Sequence, residues 1–246
     1  MCLNHKHRSH YRCLKLLTLF FCFITKCQLT PQKHVSYEAF YMPSTSSRLQ
    51  IQDWQLDMLH ADIAFGPVYF CAAYSGSSTL CKTAIAELTQ VTLINALSQN
   101  PIALGYVNGL SGTIKSATYN FGMSWFDTQT TPVANTELGH SMILEATAQK
   151  SNKHIHIIAK VDVLPQHQGQ MAITSAAVQA DVHNSKTVLQ ISFDAAQLFS
   201  QLDLDALYDQ TVHNEPILID SNTLSYDSIL LAAKVISPPV FNWVEK

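Results

Sequence analysis

Four segments of the chain alternate between apolar and polar residues, and this alternation constrains the fold more than any other feature of the sequence. The segments are 113–125, 138–148, 154–163 and 187–193. Their apolar faces carry Ala117, Tyr119, Phe121, Met123 and Trp125; Leu138, His140, Met142, Leu144, Ala146 and Ala148; Ile155, Ile157, Ala159, Val161 and Val163; and Thr187, Leu189, Ile191 and Phe193. Successive side chains of a strand point to opposite faces, so this period of two predicts half-buried antiparallel strands.

The remaining segments add one long strand and several short helices. Residues 49–65 predict a strand in which a slip of the alternation near Met58 and Leu59 indicates a β-bulge. The first half of 82–98 has apolar residues at helical spacing, which predicts a short helix. Three C-terminal segments, 195–202, 203–208 and 225–235, also predict helices or helical turns, and Asp194 is a candidate cap for the first. The predicted fold is mainly β, an antiparallel β-sandwich with a few short inserted or C-terminal helices.

The N-terminus has the layout of an export signal. Residues 1–15 carry four cations and no acidic residue, and an apolar run follows at 16–24. This order is typical of a secretory signal peptide, and the run is too short to span a bilayer, which takes about 20 apolar residues. A buried core helix or a short anchor is the alternative. Cys27 is a candidate lipidation site, because residues 24–27 have the general shape of a bacterial lipobox.

These features divide the chain into three parts. They are an export signal at 1–27, a polar tether at 28–48, and a single β-sandwich-like domain at 49–246. The tether interpretation rests on the prolines and the Ser/Thr residues of that segment. The predicted location is the periplasm, or the outer membrane if Cys27 carries a lipid, with secretion as a further alternative.

The charge of the chain excludes one class of partner. Removal of residues 1–27 takes away five cations and no acid, so the formal charge falls from −3 to −8. Arg48 is then the one arginine of the sequence that remains. Nucleic-acid-binding proteins need clustered Lys and Arg to displace the counterions of phosphate groups. This chain has no such cluster, which excludes nucleic acid and polyanions in general.

Cysteine usage agrees with export. Cys71 and Cys81 are the cysteines beyond residue 27, and an even pair in an oxidising compartment predicts a disulfide. Closing a loop of this length stabilises a fold by roughly 2–3 kcal/mol in the chain-entropy model. The alternative is a two-thiolate metal site, although the spacing is wider than that of common zinc sites.

The sequence has none of the common enzyme signatures. G-x-S-x-G, H-E-x-x-H, C-x-x-C and the Walker motif are absent. Gly105, Gly109 and Gly112 lack the spacing and the βαβ context of a dinucleotide-binding turn. The sequence therefore nominates no catalytic residue and no cofactor-binding residue. A hydrolase built from scattered Ser, His and Asp side chains is an alternative.

Histidine supplies the candidate metal ligands. His154 and His156 fall on one face of a predicted strand, about 6.5–7 Å apart along the chain. His140 lies on the preceding predicted strand, with Met142 two residues on. Imidazoles suit copper or zinc, and a His–Met set suits copper. The alternative is that His154 and His156 are ordinary surface residues and that His140 is a hydrogen-bonded core residue.

Aromatic residues carry a second hypothesis. They form two groups: Tyr119, Phe121 and Trp125 on one predicted strand face, and Tyr69, Phe70 and Tyr74 around Cys71. If exposed, such rings stack on sugars or anchor a protein partner. The alternative is that they belong to the core, since Met123 lies in the same apolar stripe.

Three short motifs carry a resemblance to known families: FGPVYFC at 65–71, SATYNFG at 116–122 and GHS at 139–141. On these motifs the chain resembles an uncharacterised family of exported proteobacterial β-rich proteins, which implies no particular activity. The order of a long early strand, a Cys-containing loop and a Tyr-x-Phe-Gly strand is also similar to MbnP-type periplasmic copper-binding proteins. That family works beside a di-haem partner and has four cysteines, where this chain keeps two after its signal. The second resemblance implies copper binding.

The function predicted from the sequence is that of an exported cell-envelope protein with a non-enzymatic binding or structural role. Its predicted partner is a protein, a glycan or another envelope component. One alternative is a periplasmic protein that binds copper or zinc through His154, His156 and His140. A second alternative is an unrecognised hydrolase. Contact with a membrane is predicted only through a lipid on Cys27.

Overall fold

The computed structural model of the protein describes residues 31–43, 46–74, 83–211 and 215–246. The fold is mainly β, as the alternation predicts, with 50% of these described residues in strands against 12% in helices. Residues Lys33–Lys246 cluster as one unit, and the following description concerns that unit.

The larger sheet has eight strands. They are β1 (His34–Tyr41), β4 (Val68–Cys71), β5 (Ala86–Leu88), β7 (Ile102–Leu110), β8 (Gly112–Tyr119), β13 (Ile173–Val182), β14 (Thr187–Ser192) and β16 (Val240–Glu245). Their spatial order is β13-β8-β4-β5-β7-β1-β14-β16. Neighbouring strands run antiparallel except β1 and β14, which run parallel. The predicted antiparallel sheet therefore includes one parallel pair.

The smaller sheet has six strands. They are β2 (Arg48–Ile51), β3 (Trp54–Phe65), β6 (Thr92–Asn95), β11 (Met142–Lys150), β12 (Lys153–Val161) and β15 (Ile217–Ile219). The order is β15-β12-β11-β3-β2, and β6 pairs with β3 beside this path. Only β15 runs parallel to its neighbour, β12. A separate two-stranded ladder joins β9 (Met123–Ser124) to β10 (Val133–Ala134).

The two large sheets share one apolar core. The rings of Phe65 on β3 and Tyr119 on β8 have centroids 5.8 Å apart. The hydroxyl of Tyr41 on β1 donates to the carbonyl of Ala96, just after β6, at 3.0 Å. Alternate residues of β11, such as Leu144, are fully buried. The arrangement is β-sandwich-like, which confirms the predicted fold class.

The larger sheet curls, so that its last strand reaches strands at its other end. The ring of Phe241 on β16 lies 5.9 Å from that of Phe70 on β4 and 5.8 Å from that of Tyr119 on β8. Trp243 lies 5.4 Å from Phe70, and its indole N–H donates to the hydroxyl of Tyr37 at 3.2 Å. Burial raises the pKa of the Tyr37 hydroxyl to about 12, so that phenol stays neutral.

The aromatic residues proposed as a stacking surface lie mostly in the core. Tyr119 is 0% exposed, Phe121 is 3% exposed and Phe70 is 0% exposed. Tyr74 is exposed, with the Lys115 ammonium 4.3 Å above its ring. The core alternative therefore holds for Tyr119, Phe121 and Phe70.

The helices are short. They are a 3₁₀ helix at Ala195–Phe199, an α-helix at Leu204–Asp209, and an α-helix at Leu224–Leu231 that continues as a π-helical turn at Ala232–Ile236. The predicted cap is confirmed, because the Asp194 carboxylate accepts from the backbone N–H of Ala196 at 3.0 Å. Asp203 caps the 204–209 helix in the same way, through the N–H of Ala206 at 3.0 Å.

The structure corrects the polar tether predicted at 28–48. Within that segment, β1 is a central strand of the larger sheet, paired with β7 on one side and β14 on the other. Val35, Tyr37, Ala39 and Tyr41 are all buried. The prolines on which the tether interpretation rests bracket this strand, and pairing of the strand with β7 and β14 outweighs the polar composition around it. The domain therefore begins before residue 49.

The structure also corrects the helix predicted in 82–98, of which residues 83–98 are described. That range contains the short strands β5 and β6 instead. Both ends of β5 are buried and Glu87 between them is exposed, which is the alternation of a strand. Pairing of β5 with β4 and β7 outweighs the helical spacing, because local propensity yields to sheet contacts.

The chain crosses from the smaller sheet to the larger one at Gly66 and Pro67, between β3 and β4. The N–H of Gly66 donates to the carbonyl of Asn120 at 3.0 Å, and the N–H of Asn120 donates to the carbonyl of Pro67 at 3.1 Å. The N–H of Gly122 donates back to the carbonyl of Gly66 at 3.2 Å. These bonds satisfy backbone groups that have left the sheet ladders.

A matched pair of glycines tests the packing at this crossing. Gly122 and Gly139 have similar positive φ angles, +68° and +73°. A Cβ at Gly122 would overlap the Cβ of Ala64, whereas a Cβ at Gly139 meets nothing within 4 Å. We expect Gly139→Ala to lower the free energy of unfolding by roughly 1 kcal/mol through backbone strain. Gly122→Ala should lower it by about a further 1–3 kcal/mol through overpacking. Equal decreases in urea unfolding would show that Ala64 can shift without destabilising the fold.

Candidate functional site

The strand alternation of the β11–β12 hairpin directs two of the predicted site residues to the outer face of the smaller sheet. The hairpin turns through Ser151, at φ +52°, and Asn152. Ile155 points into the core, and His154 and His156 on either side of it point away from the core. The prediction that these two imidazoles share a face is confirmed.

The register of three strands makes one polar surface around these histidines. His156 on β12 lies opposite Thr147 on β11, which lies opposite Asp57 on β3. His154 lies opposite Gln149 in the neighbouring row. Polar residues from three strands therefore stand side by side, although they are far apart in the sequence.

A groove of about 510 Å³ lies over this surface; we call it the β11–β12 groove. Its polar lining on the sheet side is Asp57, Thr147, Gln149, Asn152, His154 and His156. On the other side it is lined by Tyr208, Thr211 and Glu215, from the 204–209 helix and the chain beyond it. The groove thus joins the hairpin to a short helix.

Contacts at the end of the hairpin hold that helix in place. The Lys150 ammonium lies 2.9 Å from the Asp205 carboxylate, and the rings of Trp54 and Tyr208 lie 6.0 Å apart. The Lys153 ammonium lies 4.5 Å above the ring of Tyr208. The hydrogen bond between Lys150 and Asp205 raises the pKa of Lys150 and lowers the pKa of Asp205. The charged forms of both residues therefore fix the helix side of the groove.

Two groups that line the groove are paired with their own neighbours. The Asp57 carboxylate lies 2.5 Å from Nε of Arg48 and accepts from the Gln55 amide at 2.9 Å. Nε2 of His156 lies 2.7 Å from the Glu145 carboxylate. The charge of Asp57 is therefore balanced by Arg48, and one nitrogen of His156 is committed to Glu145.

Three exposed groups of the groove have no such partner. Among the described residues, Asn152, His154 and Glu215 have neither a hydrogen bond nor an ion pair through their side chains, and all three are exposed. An amide, an imidazole and a carboxylate are therefore available to a ligand.

The β-bulge predicted near Met58 and Leu59 is confirmed, and it brings a further histidine to this face. Met58 pairs with Ala146 and His60 pairs with Glu145, so Leu59 between them has no opposite residue. The extra residue turns His60 outward, where its Nε2 lies 3.0 Å from the Asp62 carboxylate. Sequence reasoning missed His60, although the slip in the alternation was the signal for it.

His140 is not part of this surface, and the predicted three-histidine site is corrected. β11 begins at Met142 opposite Val161, so His140 lies beyond the end of the ladder, near residue 163. Seven residues along β12 at about 3.3 Å each separate that level from His156, roughly 23 Å. Metal–nitrogen bonds are about 2 Å, so His140 and His156 cannot share an ion.

Other metal-ligating side chains do not form a metal site with these histidines either. In the four described ranges, no group of three or more His, Cys, Asp and Glu side chains is arranged to hold a metal ion. His154 and His156 stand on one face without a third described ligand.

His140 instead pairs with Asp162. Its Nδ1 lies 3.1 and 3.2 Å from the two carboxylate oxygens, and the Ser141 N–H donates to the same carboxylate at 3.3 Å. A hydrolase holds its catalytic histidine in this way, through Nδ1, with a nucleophile at Nε2. Within the described part of the chain, no Ser, Thr or Cys side chain is hydrogen-bonded to His140. The pair therefore lacks the neighbour that a nucleophilic mechanism needs.

Several predictions about processing fall partly outside the described residues. Cys71 ends β4 and is buried, but its predicted partner Cys81 lies outside them. The export signal at 1–27 and the lipidation candidate Cys27 lie outside them as well. Searching the described residues finds no helix long and apolar enough to cross a membrane.

Comparisons of the chain with models of known protein families, with curated proteins and with solved structures found no match. The resemblance to an exported proteobacterial family and to the MbnP-type copper proteins therefore stays a prediction.

The ion pair beside the groove has a predictable dependence on pH. A carboxyl group whose pKa is lowered by folding stabilises the fold above its unfolded pKa, and this contribution disappears as the pH falls through the folded value. We expect Asp205→Asn to lower the urea midpoint at neutral pH, and the difference from wild type to vanish well below the ordinary value of 3.8. Asp209→Asn, at the exposed end of the same helix, is the control and should not lower the midpoint. A difference that persists in acid would contradict this assignment.

Proposed function

We propose that the protein is an exported cell-envelope protein that binds a glycan in the β11–β12 groove. The observation that carries the proposal is a groove of about 510 Å³ in which Asn152, His154 and Glu215 have no partner within the described protein.

The lining of the groove favours a hydroxyl-rich ligand over an apolar one. Most small-molecule sites are lined predominantly by apolar and aromatic side chains, whereas this groove presents amide, hydroxyl, imidazole and carboxylate groups. Ala148 and Ile155 also line it, but both are buried and offer little apolar surface. Ligand hydroxyls that replace water on Asn152 and His154 would regain the hydrogen bonds that water makes there.

The elements around the groove suit it to binding without rearrangement. Its sheet side consists of strands whose opposite faces are locked in the core, and its helix side is held by Lys150 and Asp205. Preorganised groups lose less conformational entropy when a ligand binds, and so give more affinity per contact. This supports a role in recognition.

Variants of the unpartnered groups test the proposed function. An array of soluble oligosaccharides should identify a binder, and calorimetry should then measure its affinity for wild type and for the double variant Asn152→Ala/His154→Ala. Each lost hydrogen bond removes roughly 1 kcal/mol, so we expect binding about 30-fold weaker. His183→Ala, at an exposed histidine just after β13 of the other sheet, is the matched control. An unchanged affinity in the double variant would place the binding site elsewhere.

We further propose that the chain is exported by cleavage near residue 27, that Cys27 is the lipidation site if an anchor is present, and that Cys71 pairs with Cys81. Cys71 supports the pairing because it lies at the end of β4 and is close to Cys81 in the sequence. Export supports it as well, because disulfides persist in oxidising compartments.

Mass spectrometry of the protein expressed from Met1 in a Gram-negative host tests these proposals together. We expect a mature chain that starts near residue 27 and is lighter by two hydrogen atoms than its reduced form. A retained full-length chain would overturn the export signal. A lipid mass that disappears in Cys27→Ser would establish the anchor.

The same preparation tests the metal alternative. Its support is that His154 and His156 line one groove. Native mass spectra of a chelator-free sample would show one copper or zinc per chain in wild type and none in His154→Ala/His156→Ala if metal binding is the function. A metal-free wild type would retire that alternative.

A further inference from the structure

The carboxylate of Glu145 fixes the hydrogen-bonding character of His156. Nε2 of His156 lies 2.7 Å from Oε1 of Glu145, and an ionised carboxylate can only accept, so Nε2 carries the proton. In the neutral ring, Nδ1 is then a lone-pair acceptor. It has no partner among the described residues. His156 therefore offers an acceptor, although Glu145 itself does not line the groove.

The charges around the groove leave one carboxylate uncompensated. Asp57 is paired with Arg48, at 2.5 Å. Two nearby cations are also engaged, since Lys150 pairs with Asp205 at 2.9 Å and Lys153 lies 4.5 Å over the ring of Tyr208. Glu215 has no ion-pair partner in the described ranges. A ligand at this wall therefore meets a carboxylate acceptor that no described cation pairs with.

These two facts restrict the ligand further. Nδ1 of His156 and the carboxylate of Glu215 both accept hydrogen bonds, so the ligand must bring donors. An anionic ligand would be repelled by Glu215 and by a chain whose formal charge is −8 beyond residue 27. A cationic donor satisfies Glu215 with a charge-assisted bond, which is about twice as strong as a neutral one.

We infer that the β11–β12 groove prefers an amino sugar, an oligosaccharide that carries primary ammonium groups among its hydroxyl groups. The inference rests on the proposed function and names the class of glycan. Glu215 receives the ammonium group, and His156, oriented by Glu145, receives a hydroxyl or ammonium donor. Glu145 is a positioning residue in this arrangement, since it acts through His156.

Three probes of similar size distinguish the contribution of the ammonium groups to binding from that of the hydroxyl groups. They are kanamycin, fully N-acetylated kanamycin and maltotriose, each titrated into the full mature protein by calorimetry near neutral pH. We expect kanamycin to bind at least about tenfold more tightly than the other two, with a preference that shrinks as salt is raised from about 20 to 150 mM. Glu215→Gln should reduce the affinity for kanamycin about tenfold and leave the affinity for maltotriose unchanged. Glu245→Gln, on the exposed edge strand β16, is the matched control and should change neither.

The role of Glu145 has its own readout. Glu145→Gln can still hold the ring, but its amide can donate to Nε2 and so release the proton to Nδ1. We expect this variant to weaken all three probes alike, with the salt dependence of kanamycin binding unchanged. A selective loss of kanamycin would instead make Glu145 the ammonium site and overturn the assignment to Glu215.

The outcomes separate this inference from the proposed function. Equal affinities for the three probes, or a Glu215→Gln variant that affects them equally, would overturn the amino-sugar preference and leave a glycan-binding groove in place. If none of the three probes binds, but binding of an array oligosaccharide still requires Asn152 and His154, only the amino-sugar preference is overturned. If binding of no oligosaccharide requires those residues, the proposed function is overturned as well.

Discussion

The passage of the chain between the two sheets at Gly66 and Pro67 is the constraint on which the rest of the structure depends. It lets β3 and β4 belong to opposite layers, so that Phe65 faces the ring of Tyr119 across the core. Backbone bonds from 120–122 hold the crossing, and the N–H of Ala64 donates to the carbonyl of Ser141 at 2.9 Å. The motifs at 65–71, 116–122 and 139–141 therefore meet at one place. Close approach accounts for Gly66 and Gly122, where a Cβ would overlap Gln90 and Ala64, and a positive φ accounts for Gly139, without any site chemistry.

Much of this fold was predictable, because the inner face of each long strand must be apolar and the outer face must not. The segments around β8, β11, β12 and β14 show this alternation of apolar and polar residues. Even the bulge at Leu59 was visible, as a slip in the alternation. The wrong predictions, of the tether and of the helix, have one physical source. The strands found there, β1 and β5, are only eight and three residues long, and they lie beside prolines or within a segment with helical spacing. Their conformation is decided by the neighbours with which they pair, and single-sequence reasoning cannot see those neighbours.

The candidate site was predictable only in part, for a related reason. Alternation alone places His154 and His156 on one face, because both lie on one strand. Which other residues lie beside these two histidines depends on the register between strands. The register places Thr147 and Asp57 beside them and His140 far from them. The helix side could not be predicted from the sequence, since the helix that carries Tyr208 is placed by the tertiary contacts of Lys150 and Trp54. Sequence reasoning thus found two of the six polar residues on the sheet side of the groove, His154 and His156.

The position of the groove also determines how it would discriminate between ligands in the proposed function. The inner face of the smaller sheet is committed to the core, so a ligand meets only the polar outer face. Hydrogen bonds made there replace bonds to water and contribute roughly 1 kcal/mol each. A ligand without a donor opposite Glu215 would instead leave that carboxylate desolvated and unpaired, a penalty of about 1–3 kcal/mol or more. Selectivity at such a surface therefore arises more from groups that a wrong ligand leaves unpaired than from the contacts that a right one makes.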